Sequence, residues 1–245
     1  MTEKFIQQFD QFIKIINNKI IEFINLQDNK LTKHISSIQW ELWKNYKEIN
    51  GTSAGFHGIS EYIVFSTFKN FIENLNKPKK FKSQIINRDL RFFELEKNNK
   101  VLRIYRASSL RHCPIRPKLN RAPDVAILKK EGDDFKSVAV IEVKNYLDKV
   151  STRSAIDILS QIQDAFKDDC AKYALFSFGR VSVGDKEIIE SLKKFPKNKN
   201  NFLITNEEGN EEVKLDFLMA KNKKTEFEVI DLSKFLSIIK DEVIL

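Results

Sequence analysis

Cysteine is scarce in this chain: Cys113 and Cys170 are the only two in 245 residues. Two thiols make no disulfide framework, and that scarcity fits a reducing compartment. Histidine is nearly as rare, with His34, His57 and His112 spread along the chain. His112-Cys113 has no second Cys/His pair at ligand spacing, which argues against a structural zinc. Only seven glycines occur, and residues 51–60 lack the Gly-Lys-Ser/Thr ending of a P-loop, so no NTP use is expected. No apolar run approaches bilayer length, and Met1-Thr2-Glu3-Lys4-Phe5 lacks the layout of a signal peptide. The expectation is a cytoplasmic protein with no membrane partner.

What is present is ordinary globular material, 42% hydrophobic and 31% charged. The length suits one compact domain, or one domain carrying a helical arm. The net charge is +8 and it is localised. Eight basic residues fall between Lys97 and Pro123 with no acid among them: Lys97, Lys100, Arg103, Arg106, Arg111, Arg116, Lys118 and Arg121. The rest of the chain is neutral on balance. A basic block suits a polyanion, since each neutralised phosphate releases counterions. A solvated basic loop would read the same way on charge alone.

Hydrophobic spacing divides the chain at about residue 50. Phe5, Phe9, Phe12, Ile16, Ile20 and Phe23 recur at helical steps, and Ile35, Ile38, Leu42 and Trp43 form a second patch. Residues 27–30 are a plausible break between two helices. This arm, residues 1–50, either covers one side of the domain or pairs with a second copy. Its aromatic residues (Phe5, Phe9, Phe12, Phe23, Trp40, Trp43) read as helix core rather than a base-stacking platform.

Residues 51–245 read as α/β. The pattern gives a loop at 50–55, a helix over 58–74, strands near 84–95 and 101–105 with Asn98-Asn99 between them, and an irregular basic segment over 106–123. Strands follow at 124–128 and 138–144 around a turn at 129–134. Next come a helix at 154–167, a strand at 173–178, a helix at 186–194, strands at 202–205, 213–219 and 226–230, and a helix at 233–240. Strands interspersed with helices imply a mixed central sheet flanked by helices.

The chemistry concentrates in Arg121-Ala122-Pro123-Asp124-Val125-Ala126-Ile127-Leu128 and Val138-Ala139-Val140-Ile141-Glu142-Val143-Lys144. Both are apolar strands bounded by charge, and Pro123 sits where a missing N–H costs no ladder bond. Alternation places Glu142 and Lys144 on one face. If the two strands pair, Asp124 approaches Glu142. Two facing carboxylates stay ionised cheaply only with a cation between them, and Mg²⁺ takes such oxygen ligands. Lys144 would orient an attacking water or offset charge on the phosphorane. Either motif alone is common at exposed strand ends; the combination is specific. On the helix over 58–74, Phe65, Phe68, Ile72 and Leu75 form a stripe. Glu61 falls on that stripe and so needs a partner, either the metal site or the helix dipole.

Pro123-Asp124, the step to Glu142, and Glu142-Val143-Lys144 resemble the signature of the PD-(D/E)XK nuclease superfamily over about residues 58–167. The resemblance implies a restriction-endonuclease-like fold. It also implies Mg²⁺ (with Mn²⁺ as substitute) held by Asp124, Glu142, the Val143 carbonyl and Glu61, with Lys144 assisting the water. Some members carry Gln-x-x-x-Tyr in the next helix; Gln161 matches, but Ala165 replaces the tyrosine. Gln161 and His57 are additional candidates, His57 with an ordinary loop role as its alternative.

The function implied is an Mg²⁺-dependent endodeoxyribonuclease acting on double-stranded DNA, in restriction or defence. Arg103, Arg106, Arg111, Arg116, Lys118 and Arg121 would grip the backbone. Cutting both strands needs two sites, hence a homodimer. A repair or junction-resolving nuclease is the alternative enzyme. Outside enzymes, the alternatives are a nuclease-like scaffold that binds without cutting and a helical interaction protein led by residues 4–49.

Overall fold

The structure, a computed structural model, describes residues 3–26, 30–50, 56–76, 80–86, 89–106, 123–145, 149–165, 171–178, 200–205 and 228–245. In chain order its described elements are helices α1 (Glu3–Asn25), α2 (Leu31–Asn50) and α3 (His57–Leu75), then strands β1 (Lys80–Ile86), β2 (Asp89–Lys97), β3 (Lys100–Arg106), β4 (Val125–Glu131) and β5 (Asp134–Lys144). Helix α4 (Lys149–Ala165), strands β6 (Lys172–Ser177), β7 (Asn201–Ile204) and β8 (Glu228–Ile230), and helix α5 (Leu232–Val243) follow. The helix expected at 186–194 and the strand expected at 213–219 lie outside the described residues.

The eight strands form one sheet in chain order. Strands β1 to β5 run antiparallel, and β5 to β8 run parallel. Mixed α/β architecture is therefore as expected. The stretch expected as a single strand over 84–95 is instead divided between β1 and β2, because the chain reverses between the paired residues Ile86 and Asp89. Apolar content runs through both strands and hid the reversal. Asn98 and Asn99 both take positive φ, 51° and 61°, which is what the two-residue loop of a twisted hairpin requires. Gly132, at φ 64°, opens the β4–β5 loop for the same reason. That tight loop lets both strands run on beyond their apolar segments, to Glu131 and from Asp134.

Alternation along the strands separates two faces. Ile104, Val125, Ile127, Ile141, Val143, Ala174, Phe176, Phe202 and Ile204 join one core with α3 and α5. Val140, Glu142 and Lys144 alternate to the other face, where α4 packs on β5 and β6. Helix α3 is covered on both sides, by β3 to β5 and by α1 and α2. This is why Ile63 and Val64 are buried along with Phe65, Phe68 and Ile72, a broader apolar surface than one stripe.

Ile16, Ile20, Leu31, Ile35, Ile38 and Leu42 join that same core, so α1 and α2 cover one side of their own domain. Two helix starts also fasten each other. Asp231 caps α5 through the Ser233 N–H (2.8 Å) and accepts the Thr32 N–H of α2 (3.0 Å), while the Thr32 hydroxyl oxygen accepts the Leu232 N–H (2.7 Å). Among the described residues, no helix is long and apolar enough to cross a membrane.

Candidate active site at the carboxyl end of strand β5

Asp124 stands one residue before β4, and Glu142, Val143 and Lys144 close β5. The strands pair Val125 with Ile141, so Asp124 arrives beside the end of β5. Its Oδ2 accepts the Val143 N–H at 2.7 Å. In extended backbone, the N–H and C=O of one residue face the same neighbour. The Val143 carbonyl is therefore turned to the side that Asp124 occupies. The Lys144 carbonyl faces the opposite way and accepts the Phe178 N–H at 3.1 Å.

Glu142 is only 2% exposed on its side chain. Its Oε1 accepts from the Lys144 ammonium at 2.5 Å. Its Oε2 is buried with no hydrogen-bond partner among the described residues. One cation on one oxygen leaves half of a buried carboxylate uncompensated, which is costly. Burial, and after it the negative charges of Asp124 and Glu61, push the Glu142 carboxyl above the usual range against the pull of Lys144.

Glu61, in the second turn of α3 and beyond the acid-free first turn, is half-buried. Burial first, and then Asp124, raise its pKa to about 7, against the lowering effect of Arg106 and Lys144. A glutamate serving only the helix dipole would be held in its charged form. Glu61 is displaced the other way and belongs to the electrostatic neighbourhood of Asp124. Proximity of charge is not convergence on a point, however. Among the described residues, no three His, Cys, Asp or Glu side chains are grouped closely enough to hold an ion between them.

Three residues missed in the sequence brace this end of the sheet. The Ser60 hydroxyl donates to Asn145 Oδ1 at 2.5 Å, and Gln39 Nε2 of α2 reaches the same oxygen at 3.3 Å and Ser60 Oγ at 3.4 Å. Ser60 precedes Glu61 and Asn145 follows Lys144, so the network ties α2, α3 and β5 together beside two candidate residues. The only sequence signal for it was that adjacency.

The basic residues divide. Arg103 is committed within the fold: its Nε donates to Glu94 at 2.6 Å, and its guanidinium lies 4.4 Å from the ring centres of both Phe92 and Phe135. Arg106 ends β3 and enters the charge environment of Glu61. Arg111, Arg116, Lys118 and Arg121 lie outside the described residues, as do Cys113, Cys170 and His112. Gln161 is exposed on α4. Of His57, only the backbone at the start of α3 is described.

Comparison with protein-family models, curated proteins and solved structures gives no match for this chain.

Proposed function

We propose that the chain is a metal-dependent nuclease of the PD-(D/E)XK type, with a restriction-endonuclease-like domain and Asp124, Glu142 and Lys144 as its reactive core. The observation that carries the reading is the buried Oε2 of Glu142, which has no hydrogen-bond partner among the described residues. It lies where burial and the neighbouring Asp124 raise the pKa of both Glu142 and Glu61, and Glu61 adds to the rise at Glu142. Such a cluster gains from a hard divalent cation.

Asp124, Glu142 and the Val143 carbonyl would hold Mg²⁺, or Mn²⁺ in its place, with Glu61 adding negative charge from α3. When bound, the cation supplies a Lewis acid for the phosphoryl oxygens. Lys144, hydrogen-bonded to Glu142 Oε1, offsets charge that builds on the phosphate during displacement. Asp124, fixed by the Val143 N–H, holds its second oxygen in a set direction. Arg106 and the basic segment after it meet the DNA backbone.

Stand-alone endonuclease action on double-stranded DNA, in restriction or defence and as a cytoplasmic homodimer, suits a chain whose charge is gathered beside the acids. Supercoiled and linear DNA incubated with Mg²⁺ and with EDTA test this. Nicks or linear product in Mg²⁺ alone support an endonuclease, and end-trimming would indicate an exonuclease. One observation favours a second reading, a nuclease-like scaffold that binds without cutting: Lys144 already neutralises part of Glu142, and three carboxylates do not converge. Absence of Mn²⁺ affinity would select it.

A further inference from the structure

The chain has two tryptophans, and both lie on α2. The Trp40 and Trp43 rings stack with centres 5.0 Å apart and planes inclined by 10°. Trp40 is 48% exposed. The Lys44 ammonium lies 5.5 Å from the Trp40 ring centre, and that of Lys47 lies 5.1 Å from the Trp43 ring centre. Both lysines are exposed.

The ledge is carried by the helix that braces the candidate active site. Gln39, the residue before Trp40, bonds to Asn145, which follows Lys144. Trp43 lies four residues after Gln39, one turn along the same helix face. The acid between the two rings, Glu41, is ion-paired to Lys19 at 2.8 Å, so it does not cancel the lysines of the ledge.

The geometry points to a second nucleic-acid contact: Trp40, Trp43, Lys44 and Lys47 form a stacking ledge for an unpaired DNA strand beside the cleavage site. The placement beside a scissile bond rests on the nuclease reading; the binding itself does not. Trp40, stacked on a Trp43 that packs half-buried against the core, offers a base its outer π-face, and the ammoniums, swinging off the rings, meet the flanking phosphates. A blunt duplex keeps its base faces inside its own stack, where indoles cannot reach them. The ledge therefore selects single-stranded ends, flaps or opened segments.

Because the ledge contains both tryptophans, fluorescence excited selectively at tryptophan, and not at the five tyrosines, reports on it alone. The full chain, in EDTA, is titrated with an oligothymidylate, a blunt duplex and vesicles of phosphatidylserine with phosphatidylcholine. The expected result is quenching by the oligothymidylate. Trp40→Ala should weaken that binding about 5- to 100-fold, the span for loss of a base-stacking aromatic, while Trp40→Phe retains most of it. Trp40 is exposed enough for both variants to fold, and circular dichroism verifies this. Equal quenching by the blunt duplex, quenching by vesicles alone, or an unchanged affinity in Trp40→Ala each overturns the ledge. A wild-type chain that binds and is quenched but never cuts in Mg²⁺ overturns the nuclease reading and leaves the ledge standing. One that cuts without quenching does the reverse.

Discussion

Asp124 is anchored to the backbone of its neighbouring strand: its Oδ2 accepts the Val143 N–H at 2.7 Å, where the β4 main chain no longer supplies a carbonyl. One carboxylate oxygen thus continues the ladder while the other carries charge at the end of the sheet. Asp124→Asn separates these roles, because an amide oxygen still accepts the N–H. Cleavage should fall at least about 100-fold, the scale for losing one electrostatic stabiliser, with the melting temperature nearly unchanged. Asp124→Ala should in addition cost about 1–3 kcal/mol for the abandoned donor. Urea denaturation beside a plasmid-nicking assay reads both effects, and equal stability of the two variants would contradict the anchoring role.

The Lys144–Glu142 pair is buried enough for its members to depend on each other. At a pH high enough to ionise Glu142, Lys144→Met leaves that charge without its counter-ion and should destabilise the fold by about 3 kcal/mol. The cost is less at lower pH, where the raised carboxyl is already protonated. Glu142→Gln together with Lys144→Met should cost clearly less than the two changes added. A double-mutant cycle by denaturant titration measures the coupling. Strict additivity would mean that the contact contributes nothing.

Charge and pH follow from the carboxyls. The folded pKa of Glu61, about 7, lies above its ordinary 4.5, and that of Glu142 is raised as well. A raised carboxyl binds its proton more tightly in the folded state, so stability falls as pH rises. The contribution is complete below about 4.5, the ordinary value, and is gone once pH passes the folded pKa. In EDTA the melting temperature should therefore fall between about pH 5 and 8, more steeply in wild type than in Glu61→Gln. Mn²⁺ should recover part of it at the alkaline end, since cation and proton compete for the same oxygens. A flat profile, identical in the variant, would contradict the assignment.

Arg103 belongs by sequence to the basic block expected on DNA, but the structure gives it an internal task. Held by Glu94 between Phe92 and Phe135, it should behave as a packing residue. Arg103→Ala is expected to lower stability by about 1–2 kcal/mol and leave DNA affinity within about two-fold. Arg106→Ala, from beside Glu61, should do the opposite. Filter binding at two salt concentrations with thermal melts compares them.

Much of this was legible from residue order. The pairing of the strands carrying Asp124 and Glu142 could be read because two apolar segments with charged ends flank a turn, and Val125 does pair with Ile141. The breaks between α1 and α2 and at Asn98-Asn99 were visible in polar residues. The commitment of Arg103 was not, because Phe92, Glu94 and Phe135 come from other strands and are gathered only by sheet register. The Gln39–Ser60–Asn145 network was hidden for the same reason: amides and hydroxyls carry no periodicity, and their partners are 21 and 106 residues from Gln39. Trp40 counts in the sequence as helix core only as one aromatic of the arm, outside the spaced patch of Ile35, Ile38, Leu42 and Trp43. The structure leaves it 48% exposed. Spacing marks a face, but how much of that face is covered depends on what packs there.

The rate at which supercoiled DNA is nicked in Mg²⁺ by the wild type and by Glu142→Gln, at enzyme concentrations giving equal DNA occupancy, decides whether this carboxylate serves cleavage. The Glu142 oxygens hold the cation in this account, so nicking by the wild type should stop in EDTA, and the variant should be slower by at least about 100-fold while still binding DNA. Equal rates for the two proteins, or a wild-type rate that EDTA leaves unchanged, would contradict it.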